Sequence, residues 1–143
     1  MSEPLIRARG LTKTYGDFVA VDNIDFDVAK GESFGFLGPN GAGKSTTMRI
    51  IGATSVRTSG TLTILGKDPE VNGPQIRAHL GVVPQQDNLD NELTVSENIF
   101  IYGRYFGLSS SFINKKIPEL LEFAQLEEKK DTKVEALSGG MKR

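Results

Sequence analysis

The run Gly38-Pro39-Asn40-Gly41-Ala42-Gly43-Lys44-Ser45-Thr46 carries the pattern G-x-x-x-x-G-K-[ST]. Each residue type in it has a chemical reason. Gly38, Gly41 and Gly43 lack Cβ atoms, so the backbone there can curl and bring several N–H groups close to an anion. A helix starting at the end of the run adds unpaired N–H donors and the positive end of its dipole. Lys44 supplies a full positive charge for β- and γ-phosphates. The Ser45 hydroxyl suits Mg²⁺, and those of Thr46 and Thr47 can donate to phosphate oxygens. These residues predict a site for a nucleoside triphosphate.

Such a site needs a strand before the loop and a helix after it. Ser33-Phe34-Gly35-Phe36-Leu37 is a short apolar run that reads as a buried strand. Met48, Ile50 and Ile51 recur at helical spacing, with an end near Gly52. Upstream, Leu5 to Tyr15 reads as one strand, Phe18 to Val21 as a short second one, and Ile24, Phe26 and Val28 as a third, half-buried between Asp25 and Asp27. Antiparallel strands before the loop are unlike a simple βαβ nucleotide domain. Downstream, Leu62, Ile64 and Leu65 predict a strand ended by Gly66-Lys67-Asp68. A short helix is expected over 74–79, and Leu80-Gly81-Val82-Val83 reads as a strand stopping at Pro84.

From there the pattern turns helical. Thr94 and Glu97 form a capping box that opens a helix from Val95 to about Phe106, with Ile99, Phe100, Tyr102, Tyr105 and Phe106 on its apolar face. Ser110 or Ser111 is expected to cap the next helix, whose buried stripe is Ile113, Ile117, Leu120, Leu121 and Ala124. Pro118 lies inside that stripe, so either the helix kinks or a new one starts there. Residues 127–131 read as a solvated turn.

Composition narrows the class. With 143 residues, 38% hydrophobic and 24% charged, the chain can bury a core. The 17 basic and 18 acidic residues give a net charge of −1, which argues against nucleic-acid binding through bulk charge. There is no cysteine, and His79 is the single histidine, at what reads as an ordinary helix end. No apolar run approaches the ~20 residues of a membrane span. The N-terminus shows no signal-peptide pattern. A cytoplasmic protein without direct membrane insertion is expected.

Leu137-Ser138-Gly139-Gly140-Met141 closes the reading. Taken with the phosphate loop and the loop after Val83-Pro84, it resembles the nucleotide-binding domain of ATP-binding-cassette (ABC) transporters over essentially the whole chain, Leu5 to Arg143. The resemblance implies an α/β phosphate-loop NTPase core with an antiparallel β subdomain and a helical subdomain, incomplete at the C-terminus. The core is expected at about 1–84, a Q-loop at 85–93, the helical subdomain at 94–135 and the signature at 137–141. It implies ATP and Mg²⁺ as ligands, with ATP hydrolysis coupled to transport across a membrane.

The same resemblance gives residues their roles. Tyr15 matches the aromatic residue that stacks on adenine, a contact of about 1–3 kcal/mol by analogy with single-strand nucleic-acid sites. Gln85, chosen over Gln86 because it directly follows Pro84, matches the glutamine that reaches Mg²⁺ and senses the membrane partner. Leu137, Ser138, Gly139, Gly140 and Met141 match the signature that binds the γ-phosphate held by a second copy. That implies a head-to-tail dimer, a transmembrane permease partner and a place on the inner face of the membrane. Met141 stands where glutamine is common, and the wording there looks closest to drug- and polysaccharide-exporter members.

The family's metal-binding aspartate, water-polarising glutamate and γ-phosphate histidine lie beyond the signature and match nothing in these residues. Asp87, Asp90 and Glu92 read as solvated. The 143 residues are therefore expected to bind nucleotide without turning it over, and to leave the edge of the 33–37 strand open and prone to aggregation. A non-transport ABC ATPase and an unrelated phosphate-loop protein are the competing classes.

Overall fold

Residues 6–28 fold as a hairpin. Strands β1 (Ile6–Tyr15) and β2 (Phe18–Val28) pair antiparallel from Ile6↔Val28 to Tyr15↔Phe18. Strand β3 (Ser59–Ile64) adds antiparallel to the other side of β1, giving the order β2-β1-β3. The computed structural model describes residues 3–84 and 88–142, in two units, Met1–Val82 and Val83–Arg143.

The two strands expected over 18–28 are one. The polar step at Asp22-Asn23 is an irregularity within β2, with Asn23 at φ 48° and its N–H bonded to Thr12 Oγ1 at 3.0 Å. Ile24 and Phe26 are partly buried and Val28 is buried, while Asp25 and Asp27 face solvent. Asp27 takes Arg9 at 2.6 Å, and Asp25 Oδ1 accepts the Gly10 N–H at 2.5 Å. The period of two thus separates a core face from a charged one.

Helix α1 (Lys44–Ile51) and helix α2 (Pro69–Arg77) cover that core face. Ile50 and Ile51 from α1 and Ile76 from α2 pack with Ala8, Leu11, Leu62 and Ile64 of the sheet. Each large side chain buried this way stabilises the unit by about 1.5–3 kcal/mol. Helix α2 starts five residues earlier than the expected 74–79, because Asp68-Pro69 is a start signal. Asp68 caps it by accepting the Glu70 N–H at 2.9 Å, and Pro69 takes the first turn, where no backbone donor is needed. Arg57 forks onto the Asp68 carboxylate at 3.0 and 2.7 Å and lies 3.3 Å from Glu70.

Two expected strands are not formed. Residues 33–37 and 80–83 form no strand and pair with none among the described residues. Leu37 is 97% exposed, and Val82 and Val83 are likewise exposed. Continuous apolar runs suit strands covered on both faces, but a strand exists only where a neighbour completes its ladder. The edge expected to be open on one side of 33–37 is thus unpaired on both. What anchors the run is aromatic: Phe34 and Phe36 pack against Phe26 with ring centroids 5.6 and 5.2 Å away.

The second unit is helical. Helix α3 (Val95–Tyr105) opens with the expected capping box, the Glu97 N–H donating to Thr94 Oγ1 at 3.2 Å and the Thr94 N–H to Glu97 Oε2 at 2.8 Å. The Thr94 N–H and the Thr94 hydroxyl, both donating to the carboxylate, hold the Glu97 carboxyl below its ordinary pKa. Helix α4 (Ser110–Ala124) is capped by Ser109, one residue ahead of the expected serines, and runs on through Pro118. Val95, Leu121, Leu126, Val134 and Leu137 form this unit's core, while Leu120 and Ala124 of the expected stripe are exposed. Tyr105 and Phe106 are exposed too. The turn at 127–131 does more than sit in solvent: the Lys130 carbonyl accepts the Ser96 N–H at 3.0 Å, in the first turn of α3.

The Arg57 fork makes stability depend on pH. Its hydrogen bonds are the main cause holding the Asp68 carboxyl below the usual range. A carboxyl depressed on folding stabilises fully above its unfolded value of about 4, and that contribution is lost as pH falls through and below it. Asp68 is partly exposed, so solvent screening keeps the effect modest. Urea midpoints should therefore fall more between about pH 6 and pH 3 in the native chain than in Asp68→Asn. Equal falls would show that the fork adds nothing.

Candidate functional site

Residues 38–43 connect residues 33–37 to α1 through a curled backbone. Gly41 and Gly43 lie at φ 86° and 83°, values that a side chain makes costly, and the Ala42 N–H closes a turn onto the Pro39 carbonyl at 3.3 Å. Gly43 is the residue before α1, and no side chain caps the helix. Its first turn also carries no acidic residue. The leading N–H groups of α1 therefore stay available, next to the positive end of its dipole.

Gly43 does a second job. A Cβ there would run into the Ala20 carbonyl and come within 3.3 Å of the Val21 side chain, so the loop sits directly on β2. Tyr15 lies opposite Phe18, two residues from Ala20. At ~3.4 Å per residue along a strand and ~5 Å across, this sets Tyr15 about 8–9 Å from the point where the loop touches the hairpin. Tyr15 is 48% exposed at the strand end, with Lys13 Nζ 4.8 Å over its ring.

Lys44 Nζ donates to the carbonyl oxygens of Gly38 and Pro39, both at 2.6 Å. The ammonium is thus held over the loop it belongs to. Ser45 is exposed and Thr46 half-buried in the first turn of α1, and Asn40 is exposed in the turn. Thr47 is turned inward, 2% exposed, its hydroxyl donating to the Gly43 carbonyl at 3.0 Å. Here Thr47 braces the helix start, and its expected donation to phosphate is not what the geometry displays. Among the described residues no cluster of three or more His, Asp or Glu could hold a metal. The exposed Ser45 hydroxyl in the first turn of α1 is an oxygen donor of the kind that a hard cation such as Mg²⁺ takes.

In the second unit, the signature run splits in two. Leu137 points into the core at 8% exposure, so its side chain anchors the run. Ser138, Gly139, Gly140 and Met141 are exposed, and the Met141 N–H donates to Ser138 Oγ at 3.3 Å, a turn of the kind that starts a helix. Gln85, expected on the metal, lies outside the described residues.

The sequence reading missed Lys13. Positions 13 and 15 share one face of a strand, and that period-two spacing was the available signal. Ala20 was missed as well. A backbone carbonyl leaves no mark in side-chain patterns.

Comparison with known proteins agrees with this geometry. The ABC transporter family profile matches residues 21–143. The chain is 51% identical over 139 residues to Nod factor export ATP-binding protein I of Cupriavidus metallidurans, covering 97% of this chain and 46% of that protein. It is 53% identical over 133 residues to the protein of the same name from Rhizobium meliloti, covering 93% and 40%. Among solved structures, MJ1267, an ATP-binding cassette of an ABC transporter, superposes with a TM-score of 0.82 at 30% identity, covering 99% of this chain and 62% of that one. The ATP-binding cassette MJ0796, a dimer bound to ADP and Pi, superposes at 0.79 with 29% identity, covering 96% and 65%. The chain spans about half the length of the curated relatives it matches.

The Gly43 contact yields a direct expectation. Gly43→Ala should cost roughly 1–3 kcal/mol, the scale of local backbone strain, and should also weaken nucleotide binding. Gly16→Ala is the control: it has a similar positive φ of 57° but nothing within 4 Å of the added Cβ. It should cost less and leave binding unchanged. Equal costs in thermal unfolding would mean that the loop does not depend on its seat against Ala20.

Proposed function

The chain belongs to the ABC transporter family, and from that premise we propose that residues 38–46 bind the triphosphate of ATP and that the protein powers export across a membrane. One observation carries the reading: an uncapped helix start and a lysine held over a glycine loop, seated on the hairpin that ends in an exposed tyrosine. The N–H groups of Gly41, Gly43 and the first turn of α1 cradle the phosphates. Lys44 exchanges its two neutral carbonyl partners for anionic β- and γ-phosphate oxygens, which add ion-pair attraction to the hydrogen bonds. Tyr15 stacks on adenine.

Ser45 and Gln85 are the residues that would hold Mg²⁺. Bound there, the ion would neutralise charge developing on the phosphates. Lys44 adds to that stabilisation and fixes the phosphates in place. Hydrolysis belongs, in this proposal, to a protein of the length of its relatives. Support comes from the cassette MJ0796, described in a post-hydrolysis state with ADP and Pi. Export as the direction is supported by the relatives named for Nod factor export.

The remaining assignments concern partners. Ser138 to Met141, exposed on the second unit, would contact the γ-phosphate held by another copy in a head-to-tail dimer. A permease would hold that dimer at the inner face of the membrane. No described helix is long and apolar enough to cross a membrane. A nucleic-acid partner is not part of this reading. Residues to about 84 would form the core, 85–93 the Q-loop, 94–135 the helical subdomain and 137–141 the signature.

Lys44→Ala should reduce ATP affinity at least tenfold by calorimetry at fixed Mg²⁺, because it removes the only full charge in the loop. An unchanged dissociation constant would remove the phosphate-loop assignment. For the dimer, Ser138→Arg should block turnover in a protein of full family length while leaving ATP binding to the monomer intact. Loss of monomer binding would contradict the trans arrangement.

A further inference from the structure

We propose that Lys13 is a positioning residue for the nucleotide base, acting through the Tyr15 ring. The inference rests on the stacking role proposed for Tyr15 and deepens it. Lys13 and Tyr15 stand two apart on β1, and Lys13 Nζ lies 4.8 Å from the ring centroid. That is well inside the ~6 Å range of a cation–π contact. The side chain of Lys13 is half-buried, whereas the ring is 48% exposed at the end of the strand.

Two consequences follow from this placement. A ring at a strand end is free to rotate about its side-chain torsions, and a cation resting on one face restricts that freedom before any ligand arrives. Pre-organisation of this kind raises affinity by reducing what binding must order. The ammonium also takes one face of the ring and leaves the opposite one for a planar ligand. It draws π density towards itself, making the free face less negative and a better stacking partner for an electron-rich purine. The ligand class is a purine nucleotide, recognised at its base. Lys13 touches the ring, whereas Lys44, on the loop, is the cation for the phosphates.

The test compares ATP, ADP and inorganic tripolyphosphate by calorimetry at fixed Mg²⁺, using the full chain and its Lys13→Met, Lys13→Arg and Tyr15→Ala variants. An exposed cation–π contact corresponds to roughly a two- to fivefold change in affinity. Lys13→Met should therefore weaken ATP and ADP about two- to fivefold and leave tripolyphosphate unchanged. Lys13→Arg should restore binding, since a guanidinium makes the same contact. In a Tyr15→Ala background Lys13→Met should have no further effect. If Lys13→Met weakens tripolyphosphate as much as ATP, Lys13 is a phosphate contact and the inference is overturned. It is also overturned if Lys13→Met changes nothing while Tyr15→Ala weakens ATP and ADP alone; the stacking reading then survives without it. Should Tyr15→Ala weaken all three ligands equally, or none, the stacking reading falls and takes the inference with it.

Discussion

The close approach of Gly43 to the Ala20 carbonyl is the constraint on which the nucleotide-binding unit depends. A backbone carbonyl cannot move aside as a side-chain tip can, so the residue against it must carry no Cβ. Its positive φ of 83° makes the same demand independently. Two requirements on one residue fix where the loop sits and where α1 begins. Because α1 begins there, Thr47 falls inward to brace the Gly43 carbonyl, and Ile50 and Ile51 fall onto the sheet. Hydrophobic packing at one end of an eight-residue helix thus keeps polar groups free at the other.

That arrangement explains how an exposed loop can favour an anion. The loop carries no acidic residue to compete with a phosphate, and the one cation in it rests on neutral carbonyls. Those two bonds keep Lys44 near the loop, and an anionic phosphate oxygen attracts the ammonium more strongly than a neutral carbonyl does. On the same unit, the hairpin carries Tyr15, the residue proposed to stack on the base, exposed at the end of β1. Its charged face, where Arg7 and Arg9 meet Asp27, alternates with the residues that bury against α1.

Local chemistry was legible in the sequence, and long-range pairing was not. The glycine loop, the Thr94–Glu97 capping box and the alternation over Ile24, Phe26 and Val28 each depend on residues within a few positions. Each was read correctly as a pattern. The runs at 33–37 and 80–83 carry an equally clear apolar signal, yet a strand also requires a ladder partner that composition cannot supply. Helix α2 begins before the expected 74 because Asp68-Pro69 is a start signal, the Asp68 carboxylate accepting the Glu70 N–H. At the site itself, residue type and spacing pointed to the loop, and the family resemblance pointed to Tyr15. Neither could reveal that Thr47 and Leu137 turn inward, or that Lys13 lies on the Tyr15 ring.

The most direct test is a structure of the chain with a non-hydrolysable ATP analogue and Mg²⁺. The account predicts β- and γ-phosphate oxygens within hydrogen-bond distance of Lys44 Nζ and of the backbone N–H groups over 41–46, with the adenine on the Tyr15 ring. Gly43 should still sit against Ala20. An analogue bound away from residues 38–46, with Lys44 Nζ still on the Gly38 and Pro39 carbonyls, would contradict it.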